Sequence, residues 1–475
     1  MKKYMIRNYS IVLILLLVPL LLYYIIPILP THDDWVSAVS PDFNPFFIKE
    51  RFLFYGYHWR PFDAFVGYIV GRNPQTLFPT FNHYCVVFGH TICSLLVFRL
   101  LFVLGFDRFS RNIATLFFFI TPATMATVLA IDSMNQTYAL IWGIISFLAY
   151  IKLDKTKYIV WPILIFLATL HKENGLMWAL ICPILAYGFD FINLRTLKKD
   201  IIIGIGIMAL YALAIILLPK DITIHPEYVP DVLKVISNFV KFVFSSFVIV
   251  DYVYLLHQPS RNLLMAGITF LLAAPFLYYI IIRIIQRFTE KKIICILLCL
   301  LIAVAPHIAT VFSMMHTYAG LVFVTVMIAY SLNAYTHKKR IVLSFFLFLI
   351  SAVMIDLHLW HESLLSGFVG KEMAQEAIRK TGKPTKNVYL IIIEDDYPKM
   401  SSFCVIPNEA FGWGIAAIYE TNYQWPEMIK DTTIERSSSA IIKARELANR
   451  QLKDHLFDCI WIVDHKNIDV IKRYN

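Results

Sequence analysis

Two adjacent aspartates, Asp33 and Asp34, follow the first hydrophobic run of the chain in the motif THDDW. A carboxylate can act as a general base that takes the proton of an attacking hydroxyl group. The same motif also fits an ordinary helix start, in which Thr31 is the N-cap and Asp34 completes a capping box. Taken alone, the motif leaves both interpretations open.

A second polar motif, YGYHWRPF at residues 55–62, sets His58 and Arg60 among aromatic side chains. An arginine in this setting can bind a phosphate group or a sugar. Aromatic residues also collect at membrane interfaces for reasons unrelated to catalysis. Both interpretations stay open for this motif.

A third motif, LHKENG at residues 170–175, holds His171, Lys172 and Glu173 in a row between two apolar runs. A turn needs polar residues and a glycine, but it does not need three consecutive ionisable side chains. Ionisable groups at membrane depth usually line a functional cavity. This motif therefore favours a functional site.

The remaining polar candidates are single residues near the ends of apolar runs. Asp132 is the only charged residue in AIDSMNQT, where a solvated loop aspartate is the usual explanation. Single buried histidines are most often packed core groups. The candidates of this kind are His83, His90, His307 and His316, with Tyr318 next to the last of them.

The composition is typical of a membrane protein. Hydrophobic residues make up 58% of the 475 residues and charged residues 16%, whereas a soluble domain averages about 45–50% and about 25%. The net charge is +10, but the basic residues lie in short clusters between apolar runs, as they do when they encode topology. We therefore expect membrane lipid around the protein and no nucleic-acid partner.

Apolar runs close to the ~20 residues that cross a bilayer predict about eleven transmembrane helices. Loops rich in Lys and Arg alternate with loops that contain almost none, which places the N-terminus in the cytoplasm. By parity, segments 30–79 and 219–261 lie outside, the second with an interfacial or re-entrant helix within 232–256. We expect ionisable groups inside the spans only at this outer side. The predicted spans are 11–29, 80–104, 113–131, 138–151, 158–170, 174–190, 201–218, 262–282, 293–312, 318–335 and 341–357.

The chain divides into a transmembrane domain, residues 1–357, and a soluble extracytoplasmic α/β domain, residues 358–475. The pattern of the tail predicts helices near 361–380, 408–418 and 435–453 and strands at 388–393 and 459–463. The acidic cluster Glu394–Asp396 is interpreted as an accessory patch, and Cys404 and Cys459 could pair in an oxidising compartment. No zinc-site spacing occurs, and the sequence leaves the need for a divalent metal open.

The order of these motifs resembles the GT-C superfamily of membrane glycosyltransferases, most closely the protein O-mannosyltransferase and tetratricopeptide-bearing mannosyltransferase branch. The resemblance covers roughly residues 1–335. The matching residues are Asp33 and Asp34 after the first span, Tyr57, Trp59, Arg60 and Pro61 in the outer loop, Asn82, His83 and His90, Pro122 through Asp132, and Lys172 with Glu173. The chain departs from this branch where His316-Thr317-Tyr318 replaces an Arg-Tyr pair, and its tail lacks tetratricopeptide repeats.

The resemblance implies a multi-pass enzyme of the cytoplasmic membrane. It would transfer a sugar, with inversion, from a polyprenyl phosphate to an extracytoplasmic glycan, lipid or protein hydroxyl group, with Asp33 or Asp34 as general base. A surface-polysaccharide polymerase and a flippase or transporter of lipid-linked sugars are the alternatives. The residues implied at the donor phosphate are Arg60, His171, Lys172, His316 and Tyr318; those implied in support or at the acceptor are His58, His83, Asp132 and Glu173.

Overall fold

A computed structural model of the chain describes residues 8–29, 62, 80–130, 133–217, 231–243, 245–246, 259–308, 314–333, 338–382, 387–393, 428–453, 457–464 and 467–472. Helices dominate this part of the chain, and a small sheet lies near its C-terminal end. The helices before the sheet are α1 (Tyr9–Ile25), α2 (Thr80–Val103), α3 (Arg108–Ile120), α4 (Pro122–Leu129), α5 (Met134–Lys152), α6 (Lys157–His171), α7 (Trp178–Gly188), α8 (Leu194–Leu217), α9 (Val232–Val243), α10 (Pro259–Gln286), α11 (Lys291–Ile308), α12 (Tyr318–Leu332) and α13 (Lys338–Thr381).

Five of the described helices contain apolar stretches long enough to cross a membrane, and α3 with α4 forms a sixth if this bent pair is counted as one span. The five are in α2, α10, α11, α13 and the segment Met314–Leu332. The other predicted spans coincide with α1, α5, α6, α7 and α8, of which α1 and α6 are apolar but shorter. The chain is therefore a helical protein with apolar helices suited to a membrane.

The chain bends at Pro122, where α3 and α4 meet at 46°. Thr121 has the extended backbone that a following proline favours. Proline then begins α4, where its missing N–H costs no hydrogen bond. At the other end of α3, the Asp107 carboxylate accepts a hydrogen bond from the Ser110 N–H at 3.0 Å and caps the helix.

Helix α12 is the central helix, since every residue from Tyr318 to Leu332 is buried. Helices α3 and α11 pack against it. Buried apolar side chains from α1 through α13 form one continuous cluster around it. Large apolar side chains on α8 and α10, such as Leu210 and Leu264, point outward, as expected for helices that face lipid.

The described part of the predicted interfacial segment is α9, an amphipathic helix. Asn238 and Phe242 are buried, and the Asn238 amide donates to the carbonyl oxygen of Ile308 at 3.0 Å. The apolar side chains of Leu233 and Ile236 are exposed. This pattern suits a helix at a membrane surface; the rest of the segment lies outside the described residues, apart from 245–246 and the start of α10.

The C-terminal sheet contains β1 (Asn387–Ile393), β2 (Met428–Ile434), β3 (Cys459–Asp464) and β4 (Asn467–Lys472), with α14 (Ala440–Lys453) before β3. Its strand order is β2-β1-β3-β4; β1 pairs in parallel with β2 and β3, whereas β4 is antiparallel to β3. Apolar clusters lie on both faces, one with the end of α13 and one with α14. The predicted strands at 388–393 and 459–463 are therefore confirmed as β1 and β3.

Two details of the tail differ from the predictions. The helix expected near 361–380 is the continuation of α13, which runs without interruption from residue 338 to 381. Strands β2 and β4 had no sequence prediction. The segments 408–418 and 394–396 and Cys404 lie outside the described residues, so the predictions for them stay predictions.

Candidate functional site

A tight turn at the end of α6 carries the LHKENG motif into the protein interior. Lys172 is extended, and the Gly175 N–H donates to its carbonyl oxygen at 2.9 Å. A Cβ atom at Gly175 would lie 2.4 Å from the backbone carbon of Ala168, so only glycine fits. The turn buries Lys172 and Asn174, which are 7% and 6% exposed.

Lys172 and Asn174 contact the start of α5. The Lys172 ammonium group donates to Oδ1 of Asn135 at 3.3 Å, and Nδ2 of Asn174 donates to Oε1 of Gln136 at 3.0 Å. Two buried atoms, Nε2 of Gln136 and Oδ1 of Asn174, have no hydrogen-bond partner in the described part of the chain. The cluster therefore retains one free donor and one free acceptor, which a polar ligand can satisfy.

Histidines from two further elements lie beside this amide pair. Nε2 of His307, near the end of α11, is 3.5 Å from Nδ2 of Asn174. Its ring stacks on that of His316, with centroids 4.3 Å apart and planes 10° apart. His171 stacks on Tyr138 and contacts Phe62. We use the name outer polar cluster for Asn135, Gln136, His171, Lys172, Asn174, His307 and His316.

Tyr318 is fully buried next to this cluster, but its hydroxyl group is already hydrogen-bonded. It is 2.8 Å from Nδ1 of His90, and Nε2 of His90 is 3.1 Å from the carbonyl oxygen of Phe119. The carbonyl can only accept, so Nε2 carries the proton and Nδ1 accepts from the tyrosine. This pair holds α2, α3 and α12 together, and the structure leaves Tyr318 no free polar atom for a phosphate.

His83 contacts the short segment that follows α1. Its Nε2 atom is 2.9 Å from the carbonyl oxygen of Ile28, and its buried Nδ1 atom has no partner in the described ranges. Asp33 itself lies outside the described residues and follows Leu29 by four positions in the sequence.

The described candidates thus fall into three groups. His171, Lys172 and His316 belong to the outer polar cluster, whereas Glu173 is half-buried at the start of the turn and Tyr318 and His83 contact neighbouring helices. Asp33, Asp34, His58, Arg60 and Asp132 lie outside the described residues. The sequence analysis did not identify Asn135 and Gln136 as site residues. An Asn-Gln pair at the start of an apolar span could have indicated them.

The expectation that only the outer side holds buried ionisable groups is wrong. At the other end of α5, Tyr150 lies about 21 Å along the helix from Gln136. It contacts Asp200 of α8, which is fully buried. Lys157 donates to its Oδ2 atom and Tyr158 to its Oδ1 atom, both at 3.1 Å, and the Tyr150 hydroxyl also donates to Oδ2. We use the name inner ion cluster for Tyr150, Lys157, Tyr158 and Asp200.

The described ranges contain no group of three His, Cys, Asp or Glu side chains that could hold a metal ion. A lysine, two stacked histidines and two amides instead suit an anion flanked by hydrogen-bonding groups. No protein-family model matches the chain, and a search of curated proteins finds no similar sequence.

Proposed function

We propose that the protein is an integral membrane glycosyltransferase that transfers a sugar from a polyprenyl phosphate to an extracytoplasmic hydroxyl group. The observation that carries the proposal is the outer polar cluster, in which Lys172 is buried and in which Gln136 and Asn174 each keep one buried polar atom without a partner among the described residues. Buried cations of this kind are rare within apolar helices and usually line a substrate site.

The cluster suits a phosphate leaving group. When a glycosidic bond to an alcohol is broken, an acid must protonate the leaving oxygen. A phosphate leaves as a stable anion, so stabilisation of its charge is sufficient. Lys172, together with His307 and His316, can provide that stabilisation through charge-assisted hydrogen bonds.

In the proposed reaction, the oxygen of the acceptor hydroxyl attacks the anomeric carbon of the sugar. The bond between that carbon and the phosphate oxygen breaks, its electron pair stays with the phosphate, and polyprenyl phosphate leaves. The hydroxyl proton passes to the carboxylate of Asp33 or Asp34. A single displacement of this kind inverts the configuration at the anomeric carbon. No step in it requires a cofactor.

The proposal includes the topology expected from the sequence: eleven spans, a cytoplasmic N-terminus and an extracytoplasmic tail. Nucleotide sugars are cytoplasmic, so a site at the outer side requires a lipid-linked donor. A transporter requires ionisable groups that a substrate can reach at several depths. The inner ion cluster does not favour that alternative, because three donors already satisfy its carboxylate.

The test is sugar transfer by purified Asp33→Asn and Asp34→Asn variants, with polyprenyl-phosphate sugars as donors. We expect one of the two to lose about 100- to 10,000-fold in turnover, as is typical when a general base is removed. Asp231→Asn is the matched control, because exposed Asp231 only caps α9 and asparagine caps equally well. Full turnover in both folded variants would contradict the assignment of the base.

A further inference from the structure

Gln136 and Asn174 form a buried pair of amides in which two polar atoms are left over. Nδ2 of Asn174 donates to Oε1 of Gln136 at 3.0 Å, and the two residues are 6% and 1% exposed. Nε2 of Gln136 and Oδ1 of Asn174 have no hydrogen-bond partner among the described residues. Buried polar groups are almost always hydrogen-bonded, so the pair lacks one acceptor and one donor.

The pair keeps this requirement in either orientation of its amides. Flipping the Asn174 amide alone would set two carbonyl oxygens against each other, so both amides have to flip together. The unused atoms then become Oε1 of Gln136 and Nδ2 of Asn174, which are again one acceptor and one donor. Nε2 of His307, 3.5 Å from the Asn174 amide, fits both orientations because an imidazole nitrogen can accept or donate. A ligand of the pair therefore has to donate as well as accept.

A phosphate group does not meet this requirement. The phosphodiester of a lipid-linked sugar carries no proton at neutral pH, so its oxygens only accept. It would satisfy the unused amide N–H but would leave the amide carbonyl oxygen facing a negative charge. A hydroxyl group both donates and accepts, so one or two hydroxyl groups of a sugar can satisfy both atoms of the pair.

The amide pair lies next to the cation that we assign to the phosphate. Lys172 and Asn174 belong to the same turn, and Lys172 donates to Asn135, the neighbour of Gln136 on α5. The outer polar cluster thus has a charged part at Lys172 and a neutral part at the amide pair. In the donor the sugar is bonded directly to the phosphate, so a phosphate at Lys172 sets the sugar beside the amides.

We propose that the amide pair of Gln136 and Asn174 binds hydroxyl groups of the sugar in the lipid donor and so selects among sugars. The outer polar cluster reaches the surface at His316, and the turn does so at Glu173, since both residues are half-exposed. The donor headgroup approaches from there. This inference rests on the proposed function and adds to it the side chains that distinguish one sugar from another.

The experiment measures the affinity of purified full-length protein for bare polyprenyl phosphate and for a panel of polyprenyl-phosphate monosaccharides. For the sugar that wild type prefers, the double variant Gln136→Met/Asn174→Leu should bind about 10- to 100-fold more weakly, as expected for the loss of two hydrogen bonds. Its affinity for bare polyprenyl phosphate should change less than about threefold. Thr137→Val is the matched control and should affect neither probe, because the buried hydroxyl of Thr137 already donates to the carbonyl oxygen of Met134 at 2.9 Å.

Deoxy analogues of the preferred sugar identify the hydroxyl groups that the pair binds. Removal of a bound hydroxyl should weaken binding to wild type about 10-fold. The same removal should not affect the double variant, because the partner atoms are already absent there. The apparent Michaelis constant for the acceptor should be the same in both proteins. A change in that constant alone would assign the pair to a glycan acceptor and overturn its assignment to the donor.

Three further results would overturn the inference and leave the proposed function intact. An equal loss for both lipid probes would assign the pair to the phosphate. No loss for either probe is expected if the pair holds only an ordered water. Equal affinity of wild type for the bare lipid and for every sugar-bearing lipid would show that no sugar is bound.

Failure of wild type to bind polyprenyl phosphate, with or without a sugar, would overturn the proposed function itself. If the double variant does not fold, Gln136→Met alone takes its place. We then expect the same pattern, a loss for the sugar-bearing lipid and none for the bare lipid.

Discussion

The two ends of α5 carry buried polar clusters that differ in how far their hydrogen bonds are satisfied. In the inner ion cluster, the carboxylate of Asp200 accepts from Lys157 and from two tyrosine hydroxyls. In the outer polar cluster, Gln136 and Asn174 hydrogen-bond each other, but Nε2 of Gln136 and Oδ1 of Asn174 find no partner among the described residues. Both clusters lie among apolar helices, so burial alone does not distinguish them.

Whether the buried polar atoms of a cluster have hydrogen-bond partners separates structural from functional polar groups in such a protein. In a saturated cluster every polar atom already has a partner, so none is available to a ligand. The inner ion cluster is of this kind, and its residues hold helices α5, α6 and α8 together. An unsaturated cluster costs stability in the folded protein, and such a cost is typical of sites that bind a ligand. Substitutions at the two ends should therefore affect different measurements.

The largest effect on stability is expected from Lys157→Met. The change removes the cation beside the fully buried Asp200 carboxylate, so unfolding in detergent should become easier by about 3–5 kcal/mol. Turnover of the molecules that remain folded should not change. The double variant Lys157→Met/Asp200→Leu should recover most of the loss, because no buried charge is left. A stable but inactive Lys157→Met protein would contradict a structural role.

The matched change at the outer end, Lys172→Met, should have the opposite profile. Affinity for polyprenyl phosphate should fall about 10- to 100-fold, equivalent to about 1.4–2.8 kcal/mol. The midpoint of thermal unfolding should fall less than in Lys157→Met, because the hydrogen bond from Lys172 to Asn135 ends on a neutral amide, whereas Lys157 bonds a fully buried carboxylate. If stability falls as much as in Lys157→Met while lipid affinity is unchanged, the two clusters do not differ as we describe.

The smallest effect on stability is expected from the double variant Gln136→Met/Asn174→Leu. It replaces both members of a hydrogen-bonded pair by apolar side chains of similar size, a change that is often neutral. The free energy of unfolding should therefore stay within about 1 kcal/mol of wild type or rise, while lipid binding weakens. The single change Gln136→Met serves as comparison, since it leaves Asn174 without its partner. A large loss of stability in the double variant would show that the pair is structural.

Much of the helical architecture could be predicted because long apolar runs leave the backbone few alternatives in a membrane. The kink before Pro122 could be predicted from the chemistry of proline. The two central strands of the tail could be predicted from their apolar runs. Strand β2, MIKDTTI, escaped prediction because its polar residues lack the alternation of a half-buried strand. Strand β4 was missed because it is short and lies at the edge of the sheet.

The site could be predicted only in part. Consecutive ionisable residues drew attention to His171 and Lys172, because their types are unusual at membrane depth. The partners Asn135 and Gln136 are neutral, and only the packing of α5 against the turn after α6 reveals their role. Asp200 was overlooked because it follows the Lys pair at 198–199, which resembles an ordinary topology signal.

Helix α13 joins the last span to the sheet without a break, and its 44 residues measure about 66 Å. Its final turns supply Met373 and Ala377 to one face of the sheet, and Thr381 accepts a hydrogen bond from the indole of Trp461. The orientation of the sheet about the helix axis therefore depends on the number of residues between the span and the sheet. One amino acid inserted between the span and these turns would rotate the sheet by about 100° about the helix axis, whereas about seven would nearly restore its bearing.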